Sequence, residues 1–191
     1  MDRKRLTEIA AATALLVVLS VCVGAGVYVR ALNDRIAEAI ERNDAPAVIS
    51  MARKGASIRE KDRSDGTTAL GLLAWSGDTA GVNELLDRGA DVNESDGANT
   101  PLLLAAWEGH HDTMRALLAR GADVNSRETY FGWTALMTAA RDGHNTTVKI
   151  LLEHGADVNA VGKDGNTALM LARELSRTEI VRLLKRAGAK R

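Results

Sequence analysis

Cysteine, proline and aromatic residues are all scarce in this 191-residue chain: one Cys, two Pro, three Trp, two Tyr and one Phe. A lone cysteine excludes an internal disulfide framework and an all-cysteine zinc site. An excess of one charge is missing as well. The 25 Lys and Arg residues balance the 25 Asp and Glu residues, so nothing in the net charge points to nucleic acid. No nucleophile elbow, Walker loop or dinucleotide-binding glycine motif occurs. Gly66, Gly132 and Gly165 fall in turns, and the paired acids Asp62 and Asp65 fall in a polar loop where solvated carboxylates belong. The histidines are His110, His111, His144 and His154, with no convergent set of further ligands around them. The expectation is therefore a protein with no enzymatic activity, no cofactor, no metal and no small-molecule substrate. What the chain does have is apolar residues, 46% of the total, too many for a disordered polymer and enough for one or two domains.

Part of that apolar content is concentrated at the start. Residues 1–8 form a basic flank with Arg3, Lys4 and Arg5, and the 21 residues from Ile9 to Val29 carry no charge. A helix of that length spans about 30 Å, one hydrocarbon core, and satisfies its own backbone groups there. Residues 9–29 are thus expected to be a single-pass contact with the lipid bilayer. A cleaved signal peptide is the competing reading, with removal of residues 1–25 after Val23-Gly24-Ala25, although its apolar region is usually about 7–15 residues long. Cys22 reads as a small apolar residue of that helix. The compact basic cluster favours an N-terminus in the cytoplasm, with the remaining chain on the non-cytoplasmic, periplasmic-type side. Tyr28 sits at the boundary, where aromatic residues favour the membrane interface.

From residue 33 to 191 the chain repeats. Thr68-Ala-Leu, Thr100-Pro-Leu, Thr134-Ala-Leu and Thr167-Ala-Leu start four segments, and Gly89, Gly121, Gly155 and Gly188 each follow 21 residues after the corresponding Thr. Gly-Ala-Asp-Val-Asn recurs at the first three of these glycines. Counting back from Gly55 places a fifth, degenerate unit at Asp34, so units start near 34, 68, 100, 134 and 167. Each unit reads as two short helices. Thr100 suits an N-cap and Pro101 the first helical position. Gly109 breaks the first helix, and the second carries Met114, Leu117 and Leu118 at i, i+3, i+4. Neither helix buries its apolar face alone, whereas stacked neighbours share one core, which predicts an all-α solenoid. The last unit reads as a cap, because Arg173, Ser176 and Lys185 replace the Ala, Gly and Leu of earlier units.

Thr100-Pro101-Leu102, Gly109-His110, Leu117-Leu118 and Gly121 to Asn125 resemble the ankyrin repeat, whose pattern is Thr-Pro-Leu-His-x-Ala, Gly-His, a double Leu and Gly-Ala-Asp-Val-Asn. The compact anchored domain is similar to ankyrin proteins of bacteria. One departure recurs. The family's histidine in the first helix is replaced by Gly71, Leu103, Met137 and Met170, which removes a hydrogen bond and makes that helix more apolar.

The resemblance implies a scaffold for protein–protein interaction, with another protein as partner. The family's partners dock on loop tips and on the exposed ends of the first helices. Trp75 and Trp107 each fall seven residues after their repeat Thr, and Tyr130, Phe131 and Trp133 lie in the connecting loop 126–133. Those five aromatics are expected to form the docking patch, because Trp and Tyr dominate interface energetics. Glu108, Arg141, Asp142, Asn99 and Arg127 are expected to form its polar rim. The core is then expected to consist of Leu, Ala, Val and Met, with no aromatic residue in it.

Overall fold

The computed structural model describes residues 25, 27–62 and 66–190. Most of the expected membrane span, Ile9 to Val29, lies outside them. Among the described residues no helix is long and apolar enough to cross a membrane. Among the described residues ten helices follow one another: α1 (27–41), α2 (Ala45–Arg53), α3 (Ala69–Ser76), α4 (Thr79–Asp87), α5 (Pro101–Glu108), α6 (His111–Ala119), α7 (Ala135–Asp142), α8 (Asn145–Glu153), α9 (Ala168–Glu174) and α10 (Thr178–Arg186). The first helices of successive units pack in one row, α3 on α5, α5 on α7 and α7 on α9. The second helices α2, α4, α6, α8 and α10 form the other row. One apolar core runs from Leu32 and Ile36 at one end to Ile180 and Leu184 at the other.

The repeated residues have repeated jobs. Thr68, Thr100, Thr134 and Thr167 are the N-caps of α3, α5, α7 and α9, each accepting a hydrogen bond at its hydroxyl from the amide three residues on. That satisfies one of the amides a helix start leaves without an internal partner. The Asn of each Gly-Ala-Asp-Val-Asn segment reaches forward to the next unit. Asn93 Oδ1 accepts from the amide of Asp123 at 2.8 Å, Asn125 from Asp157 at 2.8 Å and Asn159 from Lys190 at 3.0 Å. Asn33 in α1 does the same for Ser57 at 2.7 Å. Hydroxyls link the second row: Thr79 Oγ1 lies 2.7 Å from the buried Thr113 Oγ1, and His111 Nε2 lies 3.2 Å from the buried Thr147 Oγ1. On the surface of that row, Arg53 of α2 and Arg88 clamp Glu84 of α4 at 2.6 and 3.0 Å. The Arg53 hydrogen bond is the main influence holding the Glu84 carboxyl below its usual range.

In the first unit α1 runs through Asp34 without a break, from residue 27 to 41. One expectation needs correction. An aromatic residue does enter the core: Trp133 is 8% exposed and belongs to the continuous apolar cluster. Its loop has no periodicity that reports burial, but its ring lies where the space between α7 and the next unit's loop closes. The residues standing in for the family's histidine differ in exposure: Leu103 and Met137 are buried, whereas Met170, on the last described unit, is 42% exposed.

The terminal unit also carries local strain. The turn after the first helix has φ 76° at Gly109 but φ 56° at the corresponding Ser176, left-handed backbone that glycine adopts freely and other L-residues adopt at a cost of about 1–2 kcal/mol. Ser176 is exposed and its side chain makes no contact that requires it. Ser176→Gly is expected to stabilise the domain by about 0.5–1 kcal/mol after the added unfolded-chain entropy of glycine is subtracted. Denaturant unfolding of the two proteins measures the difference; an unchanged or lower midpoint would contradict it.

Candidate functional site

The segment 126–133 between the third and fourth units is a hairpin built around one carboxylate. The Glu128 carboxylate accepts from the amides of Phe131 at 2.6 Å and Trp133 at 3.0 Å, and also from that of Tyr130. Its own amide donates to the Trp133 carbonyl at 3.0 Å. Three donors on one carboxylate curl the chain so that consecutive aromatic side chains are displayed together. Neighbouring units pin the hairpin on both sides. The Thr129 amide donates to the Ala98 carbonyl at 3.2 Å, and the Lys163 amide to the Phe131 carbonyl at 2.8 Å. Lys163 Nζ reaches the Thr129 carbonyl at 2.6 Å. Arg127 Nη1 ties Gly132 to Val161, donating to their carbonyls at 2.8 and 2.7 Å. Arg127 is therefore a brace of the loop.

The rings are ordered against one another. Tyr130 and Phe131 meet edge to face at 4.5 Å, and Phe131 stacks on Trp133 at 5.1 Å. Arg141 places its guanidinium 5.0 Å from the centre of the Trp133 ring. Its charge is met by Asp142, to which Nε and Nη2 donate at 2.6 and 3.0 Å. That hydrogen-bonded pairing is the leading cause of the raised Arg141 pKa. Trp133 Nε1 donates to Asp164 at 2.9 Å. Desolvation pushes the Asp164 carboxyl upward, but hydrogen bonds from the Asn166 side chain and backbone and from the Trp133 indole outweigh it and hold the group below its usual range.

Together these residues surround a cavity of about 330 Å³. Its floor is Leu103 and Ala106 of α5 with Ala135 and Thr138 of α7, and its walls are Trp107, Tyr130, Phe131, Trp133, Asn99 and Arg141. Trp107, Tyr130 and Phe131 are 53%, 79% and 43% exposed, so the cavity is open and its mouth is aromatic. The patch read from sequence as one surface divides in two. Trp75 lines a separate hollow of about 220 Å³ with Leu72 and Leu104, and its indole donates to Glu108 at 3.2 Å. Glu108 thus joins Trp75 and does not line the main cavity. Of the expected rim, Asn99 and Arg141 face the cavity, with Asp142 behind Arg141.

His110, His111 and His154 have hydrogen-bond partners within the fold. The Trp75 carbonyl accepts from His110 Nε2 at 3.0 Å, which joins the second unit to the third and puts the proton on Nε2. In the terminal unit Arg177 takes that place, donating from Nε to the Arg141 carbonyl at 3.1 Å. Among the described residues no group of three or more His, Cys, Asp or Glu side chains converges as a metal site would require.

The Asp164 bond carries a pH dependence of definite sign. A carboxyl whose folded pKa lies below its unfolded value contributes stability above the unfolded value and loses it as the pH falls through the folded one. With Trp75 and Trp107 changed to Phe, Trp133 is the remaining indole of the three. Its emission is expected to change as acid protonates Asp164, and Asp164→Asn should flatten that change. An identical acid profile in the Asn variant would contradict the assignment.

A repeated two-helix unit, capped by Thr and tied by Asn to the next, defines an α-solenoid with an open, aromatic-mouthed cavity between its third and fourth units. The family model for ankyrin repeats (three copies) matches residues 36–128 and 125–190. The chain belongs to the ankyrin-repeat family, whose members are typically non-catalytic interaction domains. No curated protein matches it in sequence.

Proposed function

We propose that this chain is a non-catalytic, membrane-anchored scaffold that binds another protein at the cavity between its third and fourth units. The observation that carries the reading is the braced hairpin at 126–133, which holds exposed aromatic rings around an apolar floor. A free protein gains nothing from exposing a Tyr at 79% beside a half-exposed Trp, whereas rigid aromatics are favourable anchors once a partner desolvates them. Ankyrin repeats support the coarser part, an interaction scaffold. The anchor rests on the uncharged stretch 9–29, which reaches to within a few residues of the core position Leu32. With so short a connection, the repeat domain would stand close to the bilayer, on its non-cytoplasmic side, and meet partners near the membrane.

Trp107→Ala combined with Tyr130→Ala is expected to lower affinity for a native-membrane partner about tenfold or more, since interface anchors contribute about 2 kcal/mol or more each. Both side chains are exposed, so the unfolding temperature should stay within about 2 °C. Quantitative co-purification from detergent-solubilised membranes reads the first effect and thermal unfolding the second. Unchanged capture by the double variant would sink the site assignment. N-terminal sequencing of the membrane-bound protein tests the anchor: residues 1–25 should be retained, and a chain beginning after Ala25 would contradict it.

A further inference from the structure

The first unit differs from the others at the start of its first helix. Its register is fixed by burial: Ile36, Ala37, Ala39 and Ile40 are inside, as are Leu70, Gly71, Leu73 and Ala74 at the same positions of the second unit. Asn43 takes the left-handed backbone of Gly77, φ 54° against 75°, and Asp44 caps α2 as Asp78 caps α4. The second half of α1 therefore fills the slot of a first helix, with Asp34 level with the N-cap threonines. The later first helices start at that level, whereas α1 is already helical at Val27 and has no Gly or Pro between 27 and 41. In this extra length Val27, Tyr28 and Val29 are all exposed. Consecutive helix residues point about 100° apart, so these three cover more of the circumference than one flat protein face could bury. Hydrocarbon surrounds a helix on every side. From Leu32 onward α1 is one-sided: Leu32, Ile36 and Ile40 are buried, while Asp34, Arg35 and Glu38 are exposed. The exposed Arg30 marks the change, as a basic residue at a membrane boundary does.

We propose that α1 is a rigid stalk whose first turn stands in lipid and which lays the row of repeats along the bilayer surface, an inference that rests on the anchored reading above. Helices that enter a bilayer tilt by about 20° from its normal on average. The first helices of the later units share the slot of α1 and therefore its direction. Their caps at Thr68, Thr100, Thr134 and Thr167 then face the membrane, and the turns at Gly77, Gly109 and Gly143 face away from it. The second helices run back, so their C-terminal ends also lie on the membrane side. Units stack across the helix axes at about 8–10 Å per helix, so the array extends parallel to the bilayer. Asp34 lies five residues beyond Val29, which sets the row of caps about 8 Å above the lipid boundary. The hairpin 126–133 leads directly into the Thr134 cap and shares that edge. The stalk thus holds the aromatic mouth of the cavity beside the lipid headgroups. A flexible tether would leave this orientation free, and α1 has no break at which to provide one.

The test uses the full-length chain in neutral phosphatidylcholine vesicles that contain a headgroup-nitroxide lipid, a short-range quencher. Cys22, the one cysteine, is changed to Ala. Single fluorophore-labelled cysteines are then placed at both ends of two second-row helices, as Ala80→Cys and Asp87→Cys on α4 and as Thr146→Cys and Glu153→Cys on α8, all at exposed positions. Seven residues separate each pair, about 10 Å along the helix, so the C-terminal label of each should be quenched at least about twofold more than the N-terminal one. The two C-terminal labels should be quenched equally. Inserting Gly-Gly-Ser-Gly between Arg30 and Ala31 should erase the difference within each pair and leave the unfolding temperature unchanged. The reverse order within the pairs, no difference within them, or a steady fall from α4 to α8 overturns the proposal. A difference that survives the insertion also overturns it, because the loops and not the stalk would then set the orientation. In each of these cases a chain that floats with the vesicles leaves the anchor standing. A chain that does not float removes the anchored reading and the proposal together.

Discussion

Trp133→Ala should lower the stability of the repeat domain by about 3–5 kcal/mol and abolish partner binding at the same time. The ring is 8% exposed and packed into the continuous core, so truncation removes buried apolar surface and leaves a cavity. It also removes the stacking partner of Phe131 and the surface under Arg141, and it leaves Asp164 without its indole donor. A domain of this size is stable by about 5–15 kcal/mol, so the loss is a large fraction of the total. Trp133→Phe separates the two roles. It keeps most of the packing, loses the hydrogen bond to Asp164, and should recover much of the stability. Chemical denaturation measures the stabilities and the capture assay reads the binding. A loss below about 1 kcal/mol for the Ala variant would mean that the ring is not part of the core.

Met137→Ala is the second large effect, expected at about 2–5 kcal/mol. Met137 is completely buried in α7, at the position where the family carries a histidine. The α7 start is still capped, since the Met137 amide lies 3.4 Å from Thr134 Oγ1. What the side chain supplies is therefore packing between neighbouring first helices, in place of a polar link. In a solenoid each unit is stabilised mainly by its neighbours, so a central defect weakens the interfaces on both sides. Met170→Ala, the same change on the terminal unit, should be far milder, because Met170 is 42% exposed. Comparable losses at the two positions would contradict the assignment of Met137 to the inter-unit core.

These two residues also show how much the amino-acid sequence reveals. The helix pairs, their Thr caps and their turn glycines were legible because each is a local requirement repeated at a fixed spacing. Leu117 and Met114 announced their burial through helical periodicity. Trp133 did not, because it sits in a connection with no periodicity, and its burial depends on how the following unit's loop closes over it. Glu128 gave no signal at all: a lone acid in a polar loop reads as solvated, and only the folded chain shows three amides converging on it. Arg127 was read by residue type as a rim charge, and in the folded chain its guanidinium ties two loops together through their carbonyls. Asp34 was placed by counting, which carries a register backward but cannot tell a cap from a continuous helix.

The same distinction explains the division of the aromatic patch. Trp75 and Trp107 occupy equivalent repeat positions, so spacing alone makes them neighbours. The long hairpin at 126–133 breaks that equivalence. It leans over Trp107 and closes a cavity there, whereas Trp75 has Glu108 beside it.

The central claim is that the cavity at the 126–133 hairpin is where another protein sits. Site-specific photocrosslinking tests it most directly. Tyr130 is replaced by p-benzoyl-phenylalanine in the full-length chain, irradiated in native membranes, and compared with the same replacement at Lys149, an exposed position on α8 in the opposite row of helices. A discrete crosslinked product from position 130, absent from position 149 and lost when Trp107 is also changed to Ala, is the predicted result. Equal crosslinking from both positions, or none from position 130 in membranes where position 149 gives a product, would contradict it.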